Sequence, residues 1–281
     1  MTAVALGLLI AVAFGTGDYV GGRASTTAST PAVLVVAQAC SVVGALVVAV
    51  VVSADVAAHD VTYGALAGAV NVVGLMLLYH ALAYHPASVV APITAVTGAV
   101  VPVGWGFAQG ERPSGVVVAG IVVAIVAGGL IALEPGAVTA AKLATGAPQA
   151  VAAGLALGSS LVLFAETSDE SGQWPVFAAR VAALTVSAAI VAALARRRPV
   201  PFPRGRARTL ALTAGAFDIA ATALLVVAVR RELLVIVAPI ASLAPAFTVV
   251  LAWILLHERV DGPQRVGFVL ALAGLVLVAA G

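Results

Sequence analysis

The sequence predicts an all-α membrane protein of ten transmembrane helices arranged as two inverted five-helix repeats. Three observations carry that reading. Of the 281 residues, 62% are hydrophobic and 9% charged, against about 45–50% and about 25% in a soluble domain. The apolar residues gather into ten runs bounded by charge, Pro or Gly. The two halves of the chain also match one another at a constant offset of 147 residues.

A water-soluble globule of this size cannot hide so much apolar surface, so lipid must be the solvent for most of the chain. The runs lie at about 3–22, 31–53, 62–83, 87–109 and 114–133, then at 149–165, 174–195, 209–229, 233–256 and 264–280. They are apolar on every face rather than alternating, which selects helices over the strands of a membrane barrel. The first run has no basic residue before it and ends in Gly17-Asp18-Tyr19, so it is read as a span rather than a signal peptide. Segment 134–148, EPGAVTAAKLATGAP, is the longest connection. It divides the chain into a first repeat at 1–134, a linker at 135–148 and a second repeat at 149–281.

The offset is gap-free. It places Ala91-Pro92-Ile93 on Ala238-Pro239-Ile240, Glu111-Arg112 on Glu258-Arg259, and Gly120 on Gly267. Matches of Ala on Ala are cheap in apolar helices, whereas a paired charged dipeptide and a paired Ala-Pro-Ile in one register are not. Because five spans is an odd number, the second repeat enters the membrane with the opposite orientation to the first. Inverted repeats characterise secondary transporters, in which two similar units enclose a site near the midplane and expose it to each side in turn.

The stretches ALAYHPASVVAPITAVTGAVVPVGWGFAQGERPSGVVVAGIVVAIVAGG and AVRRELLVIVAPIASLAPAFTVVLAWILLHERVDGPQRVGFVLALAG each lead through a Pro into a long apolar helix, a Glu-Arg step and a Gly-containing helix. With ten spans in two halves, this pattern resembles the drug/metabolite transporter superfamily and within it the EamA-like family, over essentially the whole chain. Phe14-Gly15 and Arg180 match an aromatic-Gly pair and an Arg of that family's first and seventh helices, whereas Gly17-Asp18 and Gln38 depart from it. The resemblance implies a transporter of small metabolites or drug-like solutes with both termini in the cytoplasm.

Ionisable groups inside a span cost about 2.5–3.5 kcal/mol each on insertion scales and therefore face a cavity or a partner. Four polar residues are the candidate substrate or ion ligands: Asp18, Asn71, Arg180 and Asp218. Asp218 sits near the middle of its span and falls on Asn71 at the repeat offset, so both halves place a short polar group at one depth. An unpaired guanidinium at Arg180 needs Asp218 or an anionic solute as partner. Asp18, beside glycines that let backbones approach, could take a cation or a proton. The competing reading of each is polar glue or a structural ion pair.

Gln38, Tyr79, Trp105 and Trp253 are secondary cavity candidates. Pro92, Glu111, Arg112, Pro239, Glu258 and Arg259 belong to the repeated motif and read as structure.

Net charge is +2, too little for a phosphate-binding surface, so no nucleic-acid partner is expected. The expected partners are a small solute, the lipid bilayer and protons, with the chain a monomer or homodimer. Phosphate-loop, metal-cluster and nucleophile-elbow motifs are missing, so no cofactor, metal, catalytic residue or enzyme activity is expected. Arg-, Ala-, Val- and Gly-rich composition suggests a GC-rich bacterial genome and hence the bacterial cytoplasmic membrane. Alternation places three basic residues on the face with both termini and ten on the other. The positive-inside rule then puts the termini outside, the reverse of what the resemblance implies. The alternative to a secondary transporter is a passive channel or a membrane scaffold without transport activity.

Overall fold

The computed structural model describes residues 2–51, 54–84, 87–131, 140–231, 234–241, 243–244, 247, 251 and 262–280. Among these, ten helices account for the fold: α1 (Thr2–Ser25), α2 (Thr30–Val51), α3 (Ala58–Tyr84), α4 (Ala87–Ala108), α5 (Gly115–Ile131), α6 (Ala140–Ala165), α7 (Trp174–Ala195), α8 (Arg206–Arg231), α9 (Leu234–Ala241) and α10 (Gly262–Ala280). Helix is the form that satisfies every backbone group within one segment where no water can. Six of the ten (α1, α2, α3, α6, α7 and α8) are long and apolar enough to cross a membrane. Shorter apolar helices cover Ile93–Ala108, Gly115–Ile131 and Gly262–Val278. Val43, Val47, Val269, Leu272 and Val276 are exposed on the outside of the bundle, where lipid rather than water would meet them.

The helices follow the ten apolar runs, with several ends displaced: α3 begins four residues before its run and α8 three before its own. Helix α1 continues to Ser25, three residues past the run's end at 22, because Gly21 and Gly22 do not stop it where α8 packs alongside. Helix α6 begins at Ala140 and runs through Pro148, so part of the segment read as connection is helical. Its polar and small residues carry no hydropathy signal.

Helices from the two halves interleave. Helix α1 lies along α8, α3 along α6 and α7, α2 along α7 and α8, α4 along α6, and α5 along α10. Small residues permit this. A Cβ at Gly64 or Gly68 of α3 would overlap the carbonyls of Pro175 and Ala179 in α7, and one at Gly215 of α8 would overlap the carbonyl of Ala37 in α2. Backbone-on-backbone contact of this kind gives dispersion and shape fit where no hydrophobic drive separates helix from lipid. The contacts fix direction: 64 meets 175 and 68 meets 179, so α3 and α7 run parallel. By the same reading Gly17 meets Phe217 and Gly21 meets Ala214, so α1 and α8 run antiparallel.

Candidate functional site

The junction of α1, α2, α7 and α8 brings charged side chains together inside the bundle. Helix α7 starts with Trp174-Pro175, the ring of Pro175 suiting the first turn where its missing N–H costs nothing. Its inward stripe is Val176, Arg180, Ala183, Ser187 and Val191, all buried, at the three- and four-residue spacing of one helix face. Arg180 is 5% exposed, and a guanidinium there must be paired. Its Nη1 donates to Asp218 Oδ2 at 2.6 Å, and its Nη2 donates to the hydroxyl of Thr222. Asp218 and Thr222 stand four residues apart on α8, so one face of that helix supplies the carboxylate and the hydroxyl together.

Helix α2 completes the cluster. Ser41 Oγ lies 2.8 Å from the carbonyl of Gly215 and 3.2 Å from Asp218 Oδ2, its single proton shared between two acceptors. Helix α1 approaches because residue 17 is glycine: a Cβ there would stand 3.4 Å from Phe217 Cβ and 3.8 Å from Asp218 N. Asp18 follows directly. Its side chain is exposed, and its charge and that of Asp218 repel one another. The cluster thus combines two carboxylates, one guanidinium and two hydroxyls, with one negative charge in excess when both acids are ionised.

The structure therefore brings Asp18, Arg180 and Asp218 together and places Asn71 elsewhere. Asn71 of α3 donates through Nδ2 to Ser160 Oγ of α6 at 3.4 Å. A sequence offset carries no information on direction around the helix. Gln38 is buried, and its Oε1 has no hydrogen-bond partner. Ser41 and Thr222 were not anticipated, since a lone hydroxyl in an apolar run is also the usual glue between membrane helices.

A second polar region lies at the end of the bundle where α3 and α9 begin and α4, α6 and α8 end. A cavity of about 460 Å³ there is lined by Asp60, Trp105, Gln109, Glu111 and Glu166 among others. Trp105 Nε1 donates to Glu166 Oε1 at 2.6 Å. Both oxygens of Glu111 accept backbone N–H groups that open α9, from Leu234 and Val235, each at 2.9 Å. Arg112 Nη1 donates to the carbonyls of Phe107 and Glu111 at 3.0 and 2.9 Å. Asp60 is 2% exposed and accepts from Ser168 Oγ, with His59 Nδ1 at 3.1 Å. Arg230 spans the α6–α7 connection, donating to Gly172 O at 2.7 Å and Thr167 Oγ1 at 2.8 Å. Pro239 sits buried inside α9. Trp253, Glu258 and Arg259 lie outside the described residues, as do the side chains of Tyr79 and Pro92. Among the described residues no three His, Cys, Asp or Glu side chains are grouped to hold a metal ion.

Residues 144–280 match the model of the EamA-like transporter family. No curated protein matches the chain. A solved structure described only as "Crystal structure of protein" superposes with a TM-score of 0.81 at 15% identity, covering 99% of this chain and 98% of that one. At that identity the likeness speaks for the fold alone.

Proposed function

Residues 144–280 match the EamA-like transporter family, and from that premise we propose that the protein is a secondary transporter carrying a small metabolite or drug-like solute across the membrane by alternating access. The observation that carries the proposal is the Arg180–Asp218 pair, a buried guanidinium on a half-buried carboxylate halfway along α8 where helices of both halves meet, with Asp18 beside it. A scaffold has no need of a second carboxylate beside a pair that is already matched one to one. A transporter uses it to exchange a cation, a proton or the amine of a zwitterion, while the guanidinium can take up a carboxylate once Asp218 lets go.

The inverted repeat is part of this reading, and the packing of α5 on α10 supports it. A Cβ at Gly120 would meet Val278 Cγ2 at 2.8 Å and Gly274 O at 2.9 Å. A Cβ at Gly267 would meet Ile131 Cγ1 at 2.8 Å and Ala127 O at 3.0 Å. Each member of the first set stands 147 residues from its counterpart in the second, and the two helices run antiparallel. The α1–α8 and α6–α3 pairs exchange under the same offset. The assignment of 1–134 and 149–281 as repeats, a bacterial cytoplasmic membrane location and gradient coupling complete the proposal. No catalytic role is assigned.

The test is thermal stabilisation of detergent-purified protein against cations, anions and amino acids, repeated with Asp218→Asn. A ligand at a hundred times its Kd adds about 2.7 kcal/mol of stability. A stabilising solute lost in a folded Asp218→Asn protein, and taken up saturably into liposomes by the wild type, supports the reading. Non-saturable flux would indicate a channel. No flux, together with unfolding of the variant, would indicate a scaffold.

A further inference from the structure

Three polar atoms between α2 and α7 are buried without a hydrogen-bond partner: Gln38 Oε1, Arg180 Nε and Ser187 Oγ. Their residues are 3%, 5% and 0% exposed. A polar atom unpaired at such depth costs several kcal/mol where only hydrocarbon surrounds it. Three on two touching helices therefore need a common explanation.

They lie along one line. On α7, Ser187 follows Arg180 by seven residues and so stands about 10 Å further along and about 20° around from it. On α2, Gln38 precedes Ala45 by the same interval, and Ala45 packs in one cluster with Val176 and Ala179 of α7. Ser41 and Arg180 meet on Asp218 Oδ2. Increasing numbers on α2 thus face decreasing numbers on α7. Stepping back from Ala45 to Gln38 advances α7 from the Val176–Ala179 turn to the Ala183–Ser187 turn. Gln38 and Ser187 consequently face one another just beyond the Arg180–Asp218 pair, yet no direct bond joins them. Pro175 and Ala179 look instead toward Gly64 and Gly68 of α3, about 100° away around α7.

A carbonyl oxygen, a hydroxyl and a guanidinium N–H in this arrangement supply the two to four partners that a buried water requires. We propose that Gln38, Arg180 and Ser187 hold a file of water between α2 and α7, running from the Arg180–Asp218 pair toward the Ala195 end of α7, where Arg196, Arg197 and Arg198 stand. The file deepens the transport reading and rests on it. It hydrates the ion pair from one face without any separation of helices.

The test places single cysteines in a Cys40→Ala background and exposes native membranes to hydrogen peroxide, a neutral reagent little larger than water, the sulfenic acid formed being trapped by dimedone after denaturation. A buried thiol without water is inert because it stays protonated. Ser187→Cys reacts, whereas Ala179→Cys, equally buried but facing α3, does not. Gln38→Leu added to Ser187→Cys abolishes that reaction while the protein elutes as a folded species. A Ser187→Cys as inert as Ala179→Cys overturns the proposal, as does an unchanged rate in the Gln38→Leu protein. Ser187→Cys replaces one atom, so it decides the question by itself if Gln38→Leu does not fold. No solute enters the assay, so a failure of transport and a failure of the water file are read separately.

Discussion

Glu111 holds the start of α9. Its two carboxylate oxygens accept the N–H groups of Leu234 and Val235 at 2.9 Å, a bond that spans the two halves of the chain. Glu111→Gln keeps one acceptor and loses the negative charge that favours a helix start. The expected cost is about 0.5–2 kcal/mol, seen as a lower melting temperature and as faster hydrogen exchange at Leu234 and Val235. Unchanged exchange there would refute the capping role.

The α5–α10 contact leaves no room for a side chain. Gly120→Ala or Gly267→Ala pushes a methyl against backbone atoms within about 3 Å and is expected to cost about 1–3 kcal/mol, as overpacking does. Gly104→Ala, with nothing within 4 Å of its Cβ, is the matched control and leaves the melting temperature in place. Equal effects at the three sites would contradict the packing described.

Removing the two partners of the Arg180–Asp218 ion pair is not equivalent. Asp218→Leu leaves a guanidinium 6% exposed with only Thr222 to satisfy it, and is expected to cost about 3–5 kcal/mol. Arg180→Met costs less, because the carboxylate left behind keeps Ser41 and is 28% exposed. The double variant Arg180→Met/Asp218→Leu recovers most of the loss and stays inactive in uptake. Melting temperatures of the three proteins check the order.

Asp60 fastens the start of α3 to the α6–α7 connection through Ser168. In Asp60→Asn one acceptor oxygen becomes an N–H donor, and a buried group loses its partner at a cost of about 1–3 kcal/mol. Hydrogen exchange across 168–172 accelerates in that variant, while exchange at the middle of α8 does not.

Helix number and position were legible because a span announces itself by hydropathy alone, and each of the ten runs contains a helix. The proposed repeat rests in the sequence on Glu111-Arg112 and Glu258-Arg259, where charge makes coincidence rare. Arg180 pointed to Asp218 because an unpaired guanidinium in a span is too costly to leave. Azimuth was not legible. Helices that are apolar all round carry no moment to say which side faces inward, so Asn71, paired with Asp218 by the sequence offset, lies outside its cluster. Ser41, Ser187 and Thr222 remained invisible for the same reason, since only packing separates a ligand hydroxyl from an idle one. Glu166 and Asp60, at span ends, looked like ordinary interfacial acids.

The interleaving of the halves bears on how the chain is made. Helix α1 finds its main neighbour in α8, and α3 finds one of its two in α7, elements that a ribosome delivers late. Until then the early helices are threaded into the bilayer with their glycine faces unmatched, open to lipid or to an insertion factor. Assembly is consequently a late event governed by contacts between distant parts of the chain, the slow kind to form. A lesion in α7 or α8 would be felt by helices synthesised long before it.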